Sequence, residues 1–216
     1  MNKIFHQYNR KVWVIFLITL IIGIIIFPRL PESIPVHFNS VGEVDRYGSR
    51  WYIFLTPCIN FIIILLAEGL RKIDPKSDVY QKFESQYYNI MFFVALLMWS
   101  IQLLTIAYVF GYEINIARVM PFIMGVMFIF LGNIMPKFKH NYFVGIKTSW
   151  TLASEKVWYL THRFTGVIWV VGGIIILFSA FLPVEMIAWV FFAIIIVLVV
   201  IPFGASYYFY RETEDK

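Results

Sequence analysis

Side chains that could do chemistry concentrate between Gly132 and Phe164, in the string GNIMPKFKHNYFVGIKTSWTLASEKVWYLTHRF. The segment holds His140, Glu155 and His162, whose side-chain types bind zinc or act as general acids and bases. It carries no H-E-x-x-H spacing, no Ser or Cys nucleophile motif and no paired membrane aspartates. We therefore predict no enzyme, no metal site and no cofactor, and a role in binding or signal relay.

A second polar segment, LPESIPVHFNSVGEVDRYGSRW, follows the first apolar run. His37, Asn39, Glu43 and Asp45 offer nitrogen and oxygen donors to a cation or a polar ligand. The alternative is that Asn39 and Asp45 bond to local backbone in turns, and the sequence leaves both open. Prolines and glycines, Gly42 among them, predict a compact, turn-rich cap. The predicted ligand-facing residues are His37, Asn39, Gly42 and Asp45.

The elements that must position these segments are membrane helices. The chain is 60% hydrophobic and 14% charged, and its mean hydropathy is +0.75, which is typical of integral membrane proteins. Six charge-free runs are apolar on every face, which favours helices over barrel strands. We predict an all-α protein with transmembrane helices over Val12–Phe27, Trp51–Leu70, Tyr88–Phe110, Val119–Met135, Phe164–Leu182 and Met186–Tyr208.

The distribution of Lys and Arg predicts the orientation of these helices. Of the 18 cationic residues, 14 lie in the terminal and alternate segments that share one side. The positive-inside rule therefore places both termini and residues 136–163 in the cytoplasm, and residues 28–50 outside. The net charge of +5 is explained by anionic membrane lipid, without direct nucleic-acid binding. Cys58, the one cysteine, is expected to be a small packing residue.

Domain boundaries follow from the same spans. Residues 1–70 form a predicted helical hairpin with the extracytoplasmic loop 28–50, and residues 71–216 form a four-helix part with the cytoplasmic motif loop 136–163. Each long loop follows the first helix of a three-helix half, which suggests a 3+3 inverted repeat. The match between His37 to Gly42 and His140 to Gly145, with equal His to Gly spacing, is the sequence support.

Local patterns predict how some polar residues are held. Thr151 is a candidate N-cap for a lateral interfacial helix that begins near Leu152 and leads into the fifth spanning helix. One broad face of that helix would carry Glu155, Trp158, Tyr159, His162 and Arg163. Headgroup anchoring by its aromatic rings is the simpler alternative. Asn133 is expected to be buried in the fourth helix, and Glu68 to pair with Arg71 and Lys72.

These residues carry a resemblance to a known family. Gly132-Asn133, then the run from Asn141 to Trp158 and a later Arg163 match the pattern G-N, N-x-x-x-G-[IL]-[RK]-T-x-W-T-L-x-x-E-x-V-W and Arg. At these positions the chain resembles the SdpI family of bacterial immunity and signalling membrane proteins. Ile34 to Asp45 resembles an uncharacterised extracytoplasmic domain family with the pattern I-P-x-H-[FW]-N-x-x-G-x-x-D.

The resemblance implies a six-helix protein of a Gram-positive plasma membrane that protects its producer from a secreted toxic peptide. In the best-known family member, protection is coupled to signalling, because the membrane protein sequesters a cytoplasmic repressor. The implied partners are the peptide, such a repressor and membrane lipids, and the oligomeric state stays open. The implied docking residues are Asn133, Asn141, Gly145, Lys147, Thr148, Trp150, Thr151, Glu155, Trp158, His162 and Arg163.

Two other functions are compatible with the sequence. A small-molecule or lipid transporter or flippase would fit an inverted repeat, and Asn60, Gln102 and Thr105 are its candidate polar residues within the helices. An intramembrane metal-dependent enzyme using His140, Glu155 and His162 is the less favoured alternative.

Overall fold

A computed structural model describes residues 9–214 of the chain, and this range is mainly helical. The helices are α1 Arg10–Ile26, α2 Leu55–Ile73, α3 Glu84–Val109, α4 Ile116–Ile134, α5 Ser149–Ala153, α6 Glu155–Ser179 and α7 Val184–Glu214. Two antiparallel strands, β1 Ser33–Phe38 and β2 Val44–Ser49, form a hairpin after α1. Short 3-10 turns extend the helices at Phe27–Arg29, Arg50–Phe54, Ser77–Lys82 and Met135–Lys137.

Six of these helices, all except α5, are long and apolar enough to cross a membrane. This confirms the predicted fold class of a helical membrane protein with six spans. The orientation and the 3+3 inverted repeat stay predictions. The two chain termini, which are predicted to be cytoplasmic, belong to residues 1–8 and 215–216, and these lie outside the described range.

The chain divides into two compact units, of which the first comprises Met1–Glu68 and Tyr88–Val119. One apolar cluster joins α1, α2 and α3 through Val12, Ile15, Ile64 and Ala95. A second cluster, built on Leu30, Ile34 and Ile53, lies between the hairpin and the helices and takes in Ile106 and Val109 of α3. Burial of these side chains on both strand and helix attaches the hairpin to the helices of its own unit.

The first unit also buries a polar group among its helices. Asn60 Nδ2 donates to Thr19 Oγ1 over 3.5 Å, and Gln102 Nε2 donates to the carbonyls of Thr19 and Ile53 over 3.0 and 3.3 Å. All three polar side chains are at most 1% exposed. These hydrogen bonds link three helices at positions where an unsatisfied amide would be costly.

The second unit comprises Gly69–Tyr87 and Met120–Lys216. In it α4 and α6 approach so closely that a Cβ on Gly132 would lie 2.6 Å from the Gly166 carbonyl oxygen, and a Cβ on Gly125 would lie 2.7 Å from that of Gly173. Small residues at such crossings permit backbone contact between membrane helices. Trp169 Nε1 donates to the Leu198 carbonyl over 3.0 Å and joins α6 to α7.

Several local expectations are wrong. The outer segment forms a β-hairpin where a turn-rich cap was expected, because the extended backbone at Pro31 and Pro35 continues into paired strands. The helix expected to begin near Leu152 begins at Glu155 with Ser154 as its cap, and Thr148, not Thr151, caps the five-residue α5 before it. Cys58 is exposed and so is not a packing residue.

Two expectations about polar partners are also wrong. Asn133 is exposed, not buried, and its Nδ2 donates to the Ile129 carbonyl in its own helix over 2.8 Å. Glu68 accepts hydrogen bonds from Asn9 and Tyr88 over 3.0 and 2.7 Å. Arg71, the partner expected for Glu68, pairs with Glu84 over 2.6 Å. Tertiary packing therefore supplied closer partners than the helical neighbours that the sequence suggests.

Candidate functional site

The outer hairpin is closed by the side chain of Asn39. Its Oδ1 accepts the backbone N–H groups of Val41 and Glu43 over 3.1 and 2.9 Å, and its Nδ2 donates to Glu43 Oε2 over 3.3 Å. Gly42 follows with a φ of +87°, and a Cβ there would lie 2.8 Å from the Ala117 backbone nitrogen. Asn39 thus makes the local backbone bonds that the turn alternative predicts.

The side chains of His37 on β1 and Asp45 on β2 meet across the hairpin, next to the strand pair of His37 with Arg46. His37 Nδ1 and Asp45 Oδ1 are 2.6 Å apart, and their side chains are 57% and 44% exposed. Solvent weakens such an exposed pair. Within residues 9–214 the structure contains no group of three or more His, Cys, Asp or Glu side chains that could hold a metal ion. The hairpin therefore presents a polar surface to solvent, with its amide and carboxylate groups held in place.

Residues 136–163, hereafter the motif segment, are organised around Asn141. This buried side chain accepts the N–H groups of Phe143 and Val144 and donates to the carbonyls of Lys139 and Val144, all within 2.9 Å. A side-chain amide with two acceptor lone pairs and two donors is suited to this role. Asn141 holds the loop before Gly145 in one conformation.

Asp74, outside the motif segment, completes the support of this loop. The buried carboxylate accepts the Tyr80 hydroxyl over 2.8 Å, the Tyr142 N–H over 3.0 Å and the Lys76 N–H over 2.7 Å. The Tyr80 hydroxyl also donates to Asn141 Oδ1 over 3.3 Å. Burial, followed by the hydrogen bond and the negative charge of Asp74, raises the pKa of the Tyr80 hydroxyl. Sequence reasoning missed both residues, because each lies more than 60 positions from Asn141.

An aromatic stack lies behind the loop. The rings of Trp158 and His162 are 4.1 Å apart at an interplanar angle of 22°. Trp158 Nε1 donates to the Phe138 carbonyl over 2.9 Å. His162 Nε2 accepts the Ile146 N–H over 2.9 Å, and its Nδ1 donates to the Trp158 carbonyl over 2.8 Å. Since one ring nitrogen accepts and the other donates, His162 is a neutral imidazole with both positions used.

Gly145 fits the loop against this stack. Its φ is +122°, a conformation that residues with a side chain rarely adopt. A Cβ at Gly145 would overlap His162 Nε2 and lie 3.0 Å from the Trp158 ring. The glycine of the motif is therefore required both by backbone conformation and by space.

Lys76, His140 and Glu155 form a charged group at the start of α6. Lys76 Nζ lies 2.7 Å from His140 Nδ1 and 3.3 Å from Glu155 Oε1. Burial and the adjacent Lys76 charge lower the pKa of His140, while Glu155 acts in the opposite direction. The imidazole therefore accepts a hydrogen bond from the ammonium group. The remaining partner, Glu155, has a side chain that is 78% exposed, so solvent weakens its contact with Lys76.

The middle of the motif segment, around Thr148 and Trp150, is attached to α7. Thr148 and Thr151 form a reciprocal capping box around α5. Thr148 Oγ1 also donates to Ser206 Oγ over 3.1 Å, and both residues are buried. Trp150 packs its ring 5.0 Å from that of Tyr207. Ser206 was not singled out from sequence, because a serine in an apolar helix carries no local sign of its partner.

The predicted motif residues thus divide into two groups. Side chains that are buried and bonded inside the protein are Asn141, Thr148, Thr151, Trp158 and His162. Side chains exposed on the surface are Asn133, Lys147, Glu155 and Arg163, while Gly145 and Trp150 are half-buried. The buried group fixes the backbone, and the exposed group is what a partner would meet.

Two family models match separate parts of the chain. Residues 137–206 match the model of the SdpI/YfhL protein family, and residues 14–61, which include the hairpin, match a domain of unknown function, DUF1648. The chain is 29% identical to immunity protein SdpI of Bacillus subtilis (strain 168) over 203 residues, which cover 94% of this chain and 96% of that protein.

A second relative, an uncharacterised protein of Archaeoglobus fulgidus, matches a short stretch of the chain. It is 42% identical over 48 residues, which cover 21% of this chain and 26% of that protein. No solved structure matches the chain. The similarity to the Bacillus protein thus extends over both of the regions described above.

Proposed function

Because the chain belongs to the SdpI family, we propose that it is an immunity protein of a bacterial plasma membrane that protects its cell against a secreted toxic peptide. The observation that carries this proposal is the similarity to immunity protein SdpI, which spans nearly the full length of both chains. The six spanning helices are consistent with it.

The proposal includes an orientation, with the termini and the motif segment in the cytoplasm and the hairpin outside. The excess of Lys and Arg in alternate loops supports it. In this orientation the hairpin, attached to its unit through Leu30, Ile34 and Ile53, lies on the side of the membrane from which a secreted peptide arrives. His37, Asn39 and Asp45 would then belong to the peptide-facing surface.

The motif segment is proposed to relay the bound state inward by docking a cytoplasmic repressor. Its backbone is held by the buried bonds of Asn141, Thr148 and His162, so its exposed side chains project from a fixed backbone. Lys147 and Arg163 offer positive charge, and Glu155 offers a carboxylate, to such a partner. A preorganised surface binds with a smaller loss of conformational entropy.

Expression in a peptide-sensitive strain tests the immunity function. Cells that carry the protein should survive toxic-peptide concentrations that kill cells with an empty vector, at equal growth without peptide. Asn39→Ala should reduce survival, whereas Ser40→Ala, a change at an exposed neighbour in the same turn, should not. If wild-type protein, present in the membrane, gives no protection against any of a panel of secreted peptides, the immunity proposal is wrong.

Repressor docking has a separate test. Lys147→Ala and Glu155→Ala should release a fluorescent repressor from the membrane into the cytoplasm while protection is retained. A repressor gene and a peptide-precursor gene beside this one would support the coupling. Unchanged membrane localisation of the repressor in both variants would argue against docking at this surface.

A transporter or flippase is the second candidate, and the buried polar group of Thr19, Asn60 and Gln102 favours it because polar side chains among spanning helices often line substrate paths. Flux through proteoliposomes that is lost in Asn60→Leu would support transport. Survival of peptide-treated cells that carry the protein, without measurable flux in proteoliposomes, would favour the immunity function.

A further inference from the structure

A pocket of about 140 Å³ lies beneath the hairpin, inside the first unit. Its walls are mainly aliphatic and come from β1, the turn before α2, and α3, with Ile34, Val36, Ile53 and Ile101 among them. A cavity of roughly 150 Å³ accommodates one benzene molecule. The pocket therefore has room for a single aromatic ring.

Two polar side chains in the pocket lining each have one oxygen atom without a hydrogen-bond partner among the described residues. Thr56 and Gln102 both line it and are 8% and 1% exposed. Among residues 9–214, Thr56 Oγ1 and Gln102 Oε1 have no hydrogen-bond partner. The Gln102 amide nitrogen is held by two carbonyls, so the orientation of its free oxygen is fixed. A buried polar atom left without a partner destabilises the protein, and a ligand that supplies the partner gains affinity.

We propose that this pocket receives one tyrosine side chain of the secreted peptide, which deepens the proposed function and rests on it. The ring fills the aliphatic space, the phenol O–H donates to Gln102 Oε1, and the Thr56 hydroxyl donates to the phenol oxygen. A phenol is suited to this pair because it both donates and accepts. Phenylalanine would fill the same space and leave both protein atoms unpartnered.

The rim of the pocket adds a charge preference. Arg46, on β2, lines the pocket and is exposed to solvent. The described lining residues include no carboxylate. A carboxylate close to the tyrosine in the peptide would therefore be attracted to this rim, and the attraction would weaken with added salt.

Small probes test the pocket without knowledge of the peptide. The full-length protein in detergent micelles is titrated with 4-hydroxyphenylacetate and with phenylacetate, and saturable binding is measured by calorimetry against protein-free micelles. Both probes carry the same carboxylate, so their difference reports the phenol group. We expect phenylacetate to bind roughly tenfold more weakly, as loss of two neutral hydrogen bonds implies.

Variants locate the binding. Thr105→Phe, which places a ring in the pocket from α3, should abolish binding of both probes, whereas Leu103→Phe on the exposed face of the same helix should leave it unchanged. Thr56→Val keeps the side-chain shape and removes a hydroxyl that has no described partner. It should therefore reduce the difference in binding affinity between 4-hydroxyphenylacetate and phenylacetate.

The same variants are then compared for cell survival. Reduced protection by Thr105→Phe but not by Leu103→Phe, against a tyrosine-containing peptide, supports the proposal. Equal affinities for the two probes, absence of saturable binding, or full binding by Thr105→Phe overturns it even where wild-type protein protects cells. Absence of protection by the wild-type protein instead refutes the immunity function itself, so the two failures are distinguishable.

Discussion

The imidazole of His162 stacks on the indole of Trp158, one turn earlier in α6, with ring centroids 4.1 Å apart. Each ring also holds a backbone group of the loop that precedes the helix: Trp158 binds the Phe138 carbonyl and His162 binds the Ile146 N–H. The pair therefore joins both sides of the loop to one helix. Residues that could suggest metal binding or acid–base chemistry from sequence are here part of the loop's support.

Gly145→Ala should strongly destabilise the second unit. The new methyl group would require a strained backbone at φ +122° and would collide with the His162 ring. We expect a loss of about 2–4 kcal/mol in the free energy of unfolding, measured by thermal or denaturant unfolding in detergent. Gly111→Ala, also at positive φ but with no atom within 4 Å, should cost clearly less. Equal losses in the two variants would contradict the collision.

Gly132→Val should separate α4 from α6. Its Cβ would lie 2.6 Å from the Gly166 carbonyl oxygen, which is backbone and cannot rotate away. The expected loss is at least about 2 kcal/mol, visible as a lower unfolding temperature in detergent. Gly204→Ala, in α7 with no atom within 4 Å, should leave stability equal or slightly higher. A wild-type unfolding temperature for Gly132→Val would show that these helices do not pack closely.

His140 should make the protein less stable in mild acid. Its pKa in the folded protein lies below the ordinary value of 6.5, so between these two values the unfolded chain binds more protons than the folded one. The contribution of His140 to stability is therefore complete above pH 6.5. It is lost as the pH falls from 6.5 to the pKa of His140 in the folded protein. His140→Gln should therefore reduce the slope of the unfolding free energy against pH in the range below pH 6.5. An unchanged slope would mean that His140 does not titrate differently on folding.

Tyr80 should contribute a matching effect in alkali. Because its pKa is raised in the folded protein, the unfolded chain loses the phenol proton first as pH rises above about 10. Stability should therefore fall with rising pH in that range. Tyr80→Phe should be less stable at neutral pH, since it leaves Asp74 with one donor fewer, but should show a weaker alkaline decline. Parallel curves for the two proteins would contradict the raised pKa.

Asn39→Ala should loosen the hairpin without unfolding the helices. It removes the acceptor for the Val41 and Glu43 N–H groups in an exposed turn, at a local cost of about 1–2 kcal/mol. Limited proteolysis after Arg46 should speed up while the unfolding temperature of the helices changes little. Ser40→Ala is the matched control. Equal proteolysis rates in the two variants would show that Asn39 does not hold the turn.

Much of the architecture could be predicted from sequence because its causes are local. Six long apolar runs predict six spanning helices, since the bilayer requires internal backbone hydrogen bonds over about 20 residues. The position of each span was correct, although the fifth begins at Glu155, nine residues before the expected Phe164. The predicted site segments were likewise identified by unusual polarity in an apolar chain.

The hairpin shows where local reasoning failed. The strands that pair from Ser33 with Ser49 contain Pro35 and many polar residues, so their strand pattern in the sequence is weak. What stabilises the strands is burial of Ile34 against Ile53, a contact that depends on where the following helix lies. A sequence pattern of period two does not contain this information.

The sequence by itself determined the class of protein, the number of spans and the two polar segments, because hydropathy and charge act within a single helix or loop. Only the tertiary structure decided which polar residues are internal supports and which are exposed. Asn141 forms a hydrogen bond with Tyr80, Thr148 with Ser206, and His162 with the Ile146 N–H. Hydrogen bonds between distant segments exist only after the helices pack, and the need to satisfy buried polar groups then selects their partners.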